Sequence, residues 1–120
     1  MKDAGRFELR PIENSYVLDI FGEVDFANVA DFSALIADAA DRPPNALIVS
    51  LAHATYFDSQ LIHAVLRGSE LFRLRNKSLL LVSPSGNSGR RIIEILGLAN
   101  VLPVFESLDA ALASLPAHAT

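Results

Sequence analysis

The chain has 120 residues, of which 51% are hydrophobic and 20% are charged, a composition that excludes a wholly disordered chain. Fourteen acidic residues outnumber ten basic residues and give a net charge of −4. We therefore expect no nucleic-acid partner, because such a surface needs clustered Lys and Arg. The chain contains no cysteine, which excludes disulfides, thiolate zinc sites and a cysteine nucleophile.

The length predicts a single domain over residues 1–120, since one hydrophobic core is typical of chains of this size. Residues 1–6 lack the apolar stretch of a signal peptide, and no run of about eighteen apolar residues occurs. We therefore expect a cytoplasmic location and no direct membrane insertion.

A hairpin is predicted at the start of the chain. Residues 6–10 alternate loosely between polar and apolar, and residues 16–21 are rich in strand formers. Pro11 and Asn14-Ser15 are expected to turn the chain between them.

The spacing of apolar residues then changes to that of a helix over residues 26–40. Asp25 stands at its start, where a carboxylate can cap free N–H groups, and Pro43-Pro44 is expected to stop it. Residues 46–51 form an apolar run without alternation, which predicts a strand that is covered on both faces.

A loop after residue 51 is expected to lead into a second helix, from Asp58-Ser59 to about Arg73. Residues 78–82 predict another buried strand, and the turn formers of residues 83–89 close it.

The last third of the chain predicts two short helices around an edge strand. Residues 90–96 form the first, with Ile92, Ile95 and Leu96 inward and Gly97 at its C-terminal cap. The edge strand covers residues 101–105, and the last helix runs from residue 107 to 115 and ends at Pro116.

Strands that alternate with helices imply crossovers between parallel strands, so the predicted class is α/β. The inward positions predict one buried set: Val29, Phe32, Ile36, Leu47, Val49, Val65, Phe72, Leu80, Val82, Ile92 and Leu96.

Asp58-Ser59 is the pair with the clearest chemical potential. Backbone N–H groups at a helix start are unsatisfied and the dipole favours anions, so a phosphate on the Ser59 hydroxyl can be accommodated there. The simpler alternative is that both residues only cap the helix. His63 lies four residues after Ser59, but a hydrolase is disfavoured because no nucleophile elbow or oxyanion hole is evident.

Two other features predict no site. Residues 83–89, followed by Arg90-Arg91, could hold an anion through backbone N–H groups, yet they lack the P-loop pattern, and a plain turn is favoured. His53, His63 and His118 are scattered, so we predict no metal.

Several segments together resemble the STAS domain, the family named for sulfate transporters and anti-sigma factor antagonists. Residues 22–26, Gly-Glu-Val-Asp-Phe, are similar to its turn into the first helix. The strand of residues 47–51 followed by Phe57-Asp58-Ser59 is similar to its central strand and phosphoacceptor loop, and residues 97–105 and 107–112 are similar to its C-terminal part. The resemblance covers about residues 7–115, the expected core of the domain.

The resemblance implies a mixed sheet of four or five strands with about four helices, packed mainly on one face. It implies a regulatory module without catalysis or cofactor, in which a partner anti-sigma factor, a serine kinase of the GHKL type, phosphorylates Ser59. The unphosphorylated form binds that partner and thereby releases the sigma factor. The implied switch surface contains Asp25, Asp58, Gln60, Leu61 and His63.

Two segments depart from the family pattern. Residues 58–62 read Asp-Ser-Gln-Leu-Ile, whereas the family commonly has Asp-Ser-Ser/Thr-Gly-Leu, so Leu61 replaces a glycine. Ser50 stands where the family's central strand commonly has Asp. A second function stays open beside the first: a small STAS subunit that binds the ATPase of an ABC-type lipid transporter.

Overall fold

The computed structural model describes residues 5–43, 45–86 and 89–115, and its elements follow the predicted alternation. Five strands form one sheet in the order of the chain: β1 (Arg6–Ile12), β2 (Ser15–Val24), β3 (Ala46–Phe57), β4 (Ser78–Val82) and β5 (Val104–Phe105). β1 pairs with β2 in antiparallel register, and every later pair is parallel. The predicted N-terminal hairpin is thus confirmed, although Pro11 lies inside β1 rather than in the turn.

Four helices connect or follow the strands: α1 (Val29–Ala40), α2 (Ser59–Leu74), α3 (Arg90–Ile95) and α4 (Leu108–Ser114), with a 3-10 turn over Leu98–Asn100. The α/β class and the mixed five-stranded sheet with four helices are confirmed. None of the helices in the described part of the chain is long and apolar enough to cross a bilayer. The predictions at Pro44, Asn87-Ser88, Pro116 and His118 lie outside the described residues.

The sheet is buried on both faces over the first half of β3 and most of β4, which explains why residues 46–51 and 78–82 read as largely apolar runs. On the face that we call inner, alternate strand residues pack under the first three helices and around Phe32, Ile36 and Phe72. On the outer face, the other strand residues pack under α4; this smaller cluster contains Val17, Ile48, Leu80, Val82 and Ala111. Three helices on one face and one on the other agree with the predicted arrangement.

The predicted single core is therefore wrong for two strand residues. Leu80 and Val82 are buried, but they belong to the outer cluster and not to the inner one. An unbroken apolar strand contributes to both faces, because successive side chains point to opposite sides of the sheet.

The start of the first helix also differs from the prediction. Residues 26–28 form a turn and α1 begins only at Val29. The Asp25 carboxylate accepts a hydrogen bond from the Ala27 N–H (3.0 Å) inside this turn, and the N-cap residue is Asn28. Asp25 therefore stabilises the turn, and the prediction that it caps the helix is wrong.

The third strand is longer than predicted, and it replaces the expected loop. β3 continues to Phe57 and pairs with β2 over its whole extension, with register shifts between Asp19 and Phe21 and between Gly22 and Glu23. The extra residues of these irregularities break the period-two pattern on which strand prediction rests.

The third helix presents a different face to the core. Ile93 is buried, whereas Ile95 and Leu96 are 71% and 50% exposed, so the prediction that both point inward is wrong. Gly97 takes the left-handed φ of 63° directly after the helix, as predicted for a C-terminal cap. The 3-10 turn that follows brings Leu98 inward and shortens the last strand to two residues.

Candidate functional site

The predicted site residues gather where β2 and β3 end. Val24 and Phe57, the last residues of these strands, are paired in parallel register, so the residues that follow them, Asp25 and Asp58, lie at the same edge of the sheet. We call this region the carboxyl edge. Two aspartates and the start of α2 therefore share one small surface.

Asp58 is the N-cap of α2. Its backbone is extended (φ −121°, ψ −168°), and its Oδ1 accepts a hydrogen bond from the Gln60 N–H at 2.9 Å. This bond satisfies one of the four donors that a helix start leaves free. The predicted capping role of Asp58 is confirmed.

Ser59 is the first residue of α2, and its side chain is exposed. It lies over the positive end of the longest helix of the described chain, 16 residues. Gln60 and His63 are also exposed, one residue and one turn further on. No hydrogen bond joins Ser59 to His63 among the described residues, which fits a solvated histidine better than a catalytic base.

Leu61 differs from the other predicted residues because it is fully buried in the inner core. A leucine at this position therefore adds no bulk to the approach to Ser59. Ser50 is buried as well, directly opposite the buried Asp19 of β2. Asp19 in turn accepts a hydrogen bond from Arg10 Nε at 2.6 Å. The buried carboxylate in this part of the sheet is therefore that of Asp19 on β2, beside Ser50 on β3.

The turn that carries Asp25 is held by two hydrogen bonds of the Asn28 side chain. Asn28 Oδ1 accepts from the Asp25 N–H (3.0 Å), and Asn28 Nδ2 donates to the Glu23 carbonyl (2.9 Å). The side chain of Asn28 therefore joins the end of β2 to the start of α1.

Two large apolar side chains flank the aspartates, and sequence reasoning missed both. Phe26, directly after Asp25, is 78% exposed, and Tyr56, two residues before Asp58, is 50% exposed. The predicted helix began at Phe26, so its exposed position in a turn was not expected, and no other sequence signal indicates it. Exposed aromatic residues beside a polar centre are common in protein interfaces.

The chain after β4 forms a polar network rather than an open cradle. Arg90 donates a hydrogen bond to the Ser83 carbonyl and forms an ion pair with Glu106 (3.1 Å). Glu106 accepts from the Ser85 hydroxyl (2.6 Å) and N–H (3.0 Å). These bonds and Arg90 hold the pKa of the Glu106 carboxyl below its ordinary value. Because Arg90 already has an internal carboxylate partner, these contacts favour a structural role for Arg90.

The same segment packs tightly against the end of β3. A Cβ atom added to Gly89, at the N-cap of α3, would lie 2.0 Å from Cζ of Phe57. Only glycine allows this approach. The starts of α2 and α3 are therefore fixed to each other through the Phe57 ring.

In residues 5–43, 45–86 and 89–115, no group of three or more His, Asp or Glu side chains could hold a metal ion. The chemistry available at the carboxyl edge is that of an exposed hydroxyl at a helix start, two carboxylates and two exposed aromatic rings. Such a surface suits recognition by another protein.

A comparison with family models assigns this architecture. The STAS domain model matches residues 6–111, so the chain belongs to the STAS domain family, whose anti-sigma antagonist members are generally non-catalytic. No curated protein sequence matches the chain significantly.

Solved structures of anti-sigma factor antagonists share the fold. An anti-sigma factor antagonist from Mycobacterium paratuberculosis is 18% identical with a TM-score of 0.72, over 92% of this chain and 93% of that one. The anti-sigma factor antagonist SpoIIAA in its unphosphorylated form is 21% identical with a TM-score of 0.73, over 89% and 93%. The phosphorylated form of SpoIIAA, a Bacillus cell fate determinant, is 21% identical with a TM-score of 0.69, over 90% and 97%. The chain thus resembles anti-sigma factor antagonists at low identity.

Proposed function

We propose that the chain is a partner-binding regulatory module of the anti-sigma factor antagonist type, and that phosphorylation of Ser59 switches its binding. One observation carries the proposal: Ser59 is exposed at the first position of α2, directly after the Asp58 cap, on an edge that also presents Phe26 and Tyr56. In this proposal the module has no catalytic activity of its own, and Ser59 is the substrate of the partner.

The fold is expected to tolerate the modification. A phosphoserine adds about −1.5 to −2 charges, and the free N–H groups and dipole at the start of α2 favour an anion. The relative SpoIIAA supports this expectation, since its unphosphorylated and phosphorylated forms match this chain with TM-scores of 0.73 and 0.69. A fold of this type therefore accommodates a phosphoryl group.

Binding is expected to suffer for an electrostatic reason. Asp25 and Asp58 already give the carboxyl edge two carboxylates, so a phosphoryl group would make a third anionic group that a partner must desolvate. The exposed Phe26 and Tyr56 gain free energy only when a partner covers them, and the added charge opposes that burial.

The first experiment identifies the partner. A pull-down from lysate with the full chain is expected to retain an anti-sigma factor kinase of the GHKL type. Retention of an ABC-transporter ATPase in its place would contradict the anti-sigma assignment and favour the transporter function.

The second experiment tests the switch by calorimetric titration of variants against the copurified partner. Ser59→Asp should weaken binding by roughly tenfold or more, whereas Ser59→Ala should keep wild-type affinity. Ser78→Asp is the matched control, because Ser78 is exposed at the opposite end of the sheet, where β4 begins. The melting temperature of Ser59→Asp should stay close to that of the wild type. Equal affinities for Ser59→Asp and the wild type would remove Ser59 from the mechanism.

A further inference from the structure

A cleft of about 190 Å³ lies between α1 and α2, away from the carboxyl edge. Its walls are apolar and contain few large side chains: Ile36 and Ala37 come from α1, and Ala64, Gly68 and Leu71 come from α2. The cleft exists because three of these five facing positions carry an alanine or a glycine, which cannot fill the space between two helices.

The floor of the cleft is closed. A Cβ atom added to Gly68 would lie 2.7 Å from Cγ2 of Ile36, so the helices already touch at this point. Ile36 and Ala64 are each only 2% exposed, whereas Ala37 is exposed at the mouth. An apolar group that enters the cleft therefore meets a preformed apolar floor, while the outer side of the cleft is open to solvent.

Ser33 and Arg67 are the polar residues among those that line the cleft. Arg67 has no carboxylate partner among the described residues, in contrast to six other arginines that each form an ion pair: Arg6, Arg10, Arg42, Arg73, Arg75 and Arg90. A guanidinium without a partner, above an apolar floor, is complementary to a ligand with a carboxylate and an apolar body.

We propose that this cleft binds a small amphipathic carboxylate. The apolar body lies against Ile36 and Leu71, and the carboxylate accepts hydrogen bonds from Arg67 and Ser33. The volume indicates the size of the group that lies in the cleft: an enclosed cavity of about 150 Å³ takes up benzene, and this cleft, which is open on one side, has a slightly larger volume. Short-chain and monocyclic aromatic acids are of the right size. The proposal does not rest on the switch at Ser59.

The test is a titration of the isotope-labelled full chain with hexanoate, followed by NMR chemical shifts. Hexanoate should cause saturable shifts that are confined to α1 and α2. Hexan-1-ol, which has the same chain without the charge, should bind at least about tenfold more weakly. Arg67→Gln should lose a similar factor for hexanoate, and Ala37→Phe, which fills the mouth from an exposed position, should abolish the shifts. Arg91→Gln is the control, because Arg91 is also exposed and without an ion pair among the described residues but lies on α3.

Three results would overturn the proposal. The first is the absence of saturable shifts with both hexanoate and benzoate. The second is equal affinity for hexanoate and hexan-1-ol, or an equal loss in Arg67→Gln and Arg91→Gln. The third is that neither acid binds and Ala37→Phe weakens capture of the protein partner. The cleft would then be a contact surface for that protein. None of these results bears on Ser59→Asp, which tests the proposed function separately.

Discussion

Asp58 connects the end of the central strand to the start of the second helix through one hydrogen bond, from the Gln60 N–H to Oδ1 at 2.9 Å. We predict that Asp58→Ala lowers the free energy of unfolding by about 0.5–2 kcal/mol, because a free helix donor loses its partner. Urea denaturation measures the difference.

Ser59→Ala is the control for this prediction, since the Ser59 side chain is exposed and makes no cap bond in the described structure; its effect should stay within about 0.5 kcal/mol. A strong rise of the wild-type melting temperature with added Mg²⁺ or Ca²⁺ would contradict this role, because it would make Asp58 a metal ligand.

Gly89 is required for steric reasons alone. Its φ of −78° suits any residue, but an added Cβ would lie 2.0 Å from the Phe57 ring. Gly89→Ala should therefore destabilise the chain by about 1–3 kcal/mol, the usual cost of overpacking, as measured by thermal unfolding.

Gly86→Ala is the matched control, because an added Cβ meets no atom within 4 Å there and its effect should be small. The double variant Gly89→Ala with Phe57→Leu should recover part of the loss, since it removes the clashing ring. No recovery would mean that the contact with Phe57 is not the cause.

Single residues of the site were predictable to different degrees. Asp58 and Ser59 were predictable because helix starters carry a local preference that neighbouring elements seldom override. The ion pair between Arg10 and Asp19 was not, because it depends on the register of the hairpin and not on spacing along the chain. The exposure of Phe26 was hidden for a similar reason: a turn held by Asn28 delays the helix by three residues.

At the level of elements, α1 depends on Phe32. Its side chain is fully buried, and its ring lies 5.7 Å from the ring of Phe7 on β1, measured between centroids. Phe32→Ala should lower the free energy of unfolding by about 3–5 kcal/mol, because it leaves a cavity between helix and sheet.

Phe26→Ala is the same substitution six residues earlier, at a side chain that is 78% exposed, and it should change stability by about 0.5 kcal/mol or less. Chemical denaturation of both variants gives the comparison. Near-equal stability of the two variants would mean that α1 packs through a different face.

The elements were predicted better than their orientation. Most helices and strands have strong local signals, and α2 begins and ends within one residue of its predicted bounds. The short α3 lacks such a signal. Four of residues 92–96 are apolar, so the spacing of apolar residues does not indicate which face of α3 is buried. In the structure, Leu98, which follows the left-handed Gly97, is buried, and Ile95 is exposed.

At the level of the whole molecule, the outer face of the sheet depends on one short helix. Ala111 of α4 is fully buried against outer-face strand residues that include Val17, Ile48 and Leu80. Ala111→Asp should cost about 3–5 kcal/mol, because it places an unpaired charge in this cluster.

Ala110→Asp is the control, since the neighbouring Ala110 is exposed in the first turn of the same helix, where a carboxylate is tolerated. Urea denaturation and dye binding to exposed apolar surface measure both variants. Equal effects of the two substitutions would mean that α4 does not cover the outer face.

The architecture as a whole was predictable because alternating elements leave few arrangements. The division into two cores was not, because strands that are buried on both faces do not record which residues share a face with which helix. The position of Arg67 beside the cleft could not be predicted from the sequence either, because the cleft forms only where α1 and α2 pack against each other.

The order of the sheet has a consequence for how the chain acquires its structure. Each strand hydrogen-bonds to the strand that precedes it in sequence, from the hairpin of β1 and β2 to β5. Each new pairing closes only the loop of a single connection, and the entropic cost of loop closure grows with loop length. During synthesis, the hairpin can form first and every later strand can add to an edge that is already present. We therefore expect the strands to pair progressively from the amino terminus as the chain leaves the ribosome, whereas the outer face of the sheet is covered only after α4 has been synthesised.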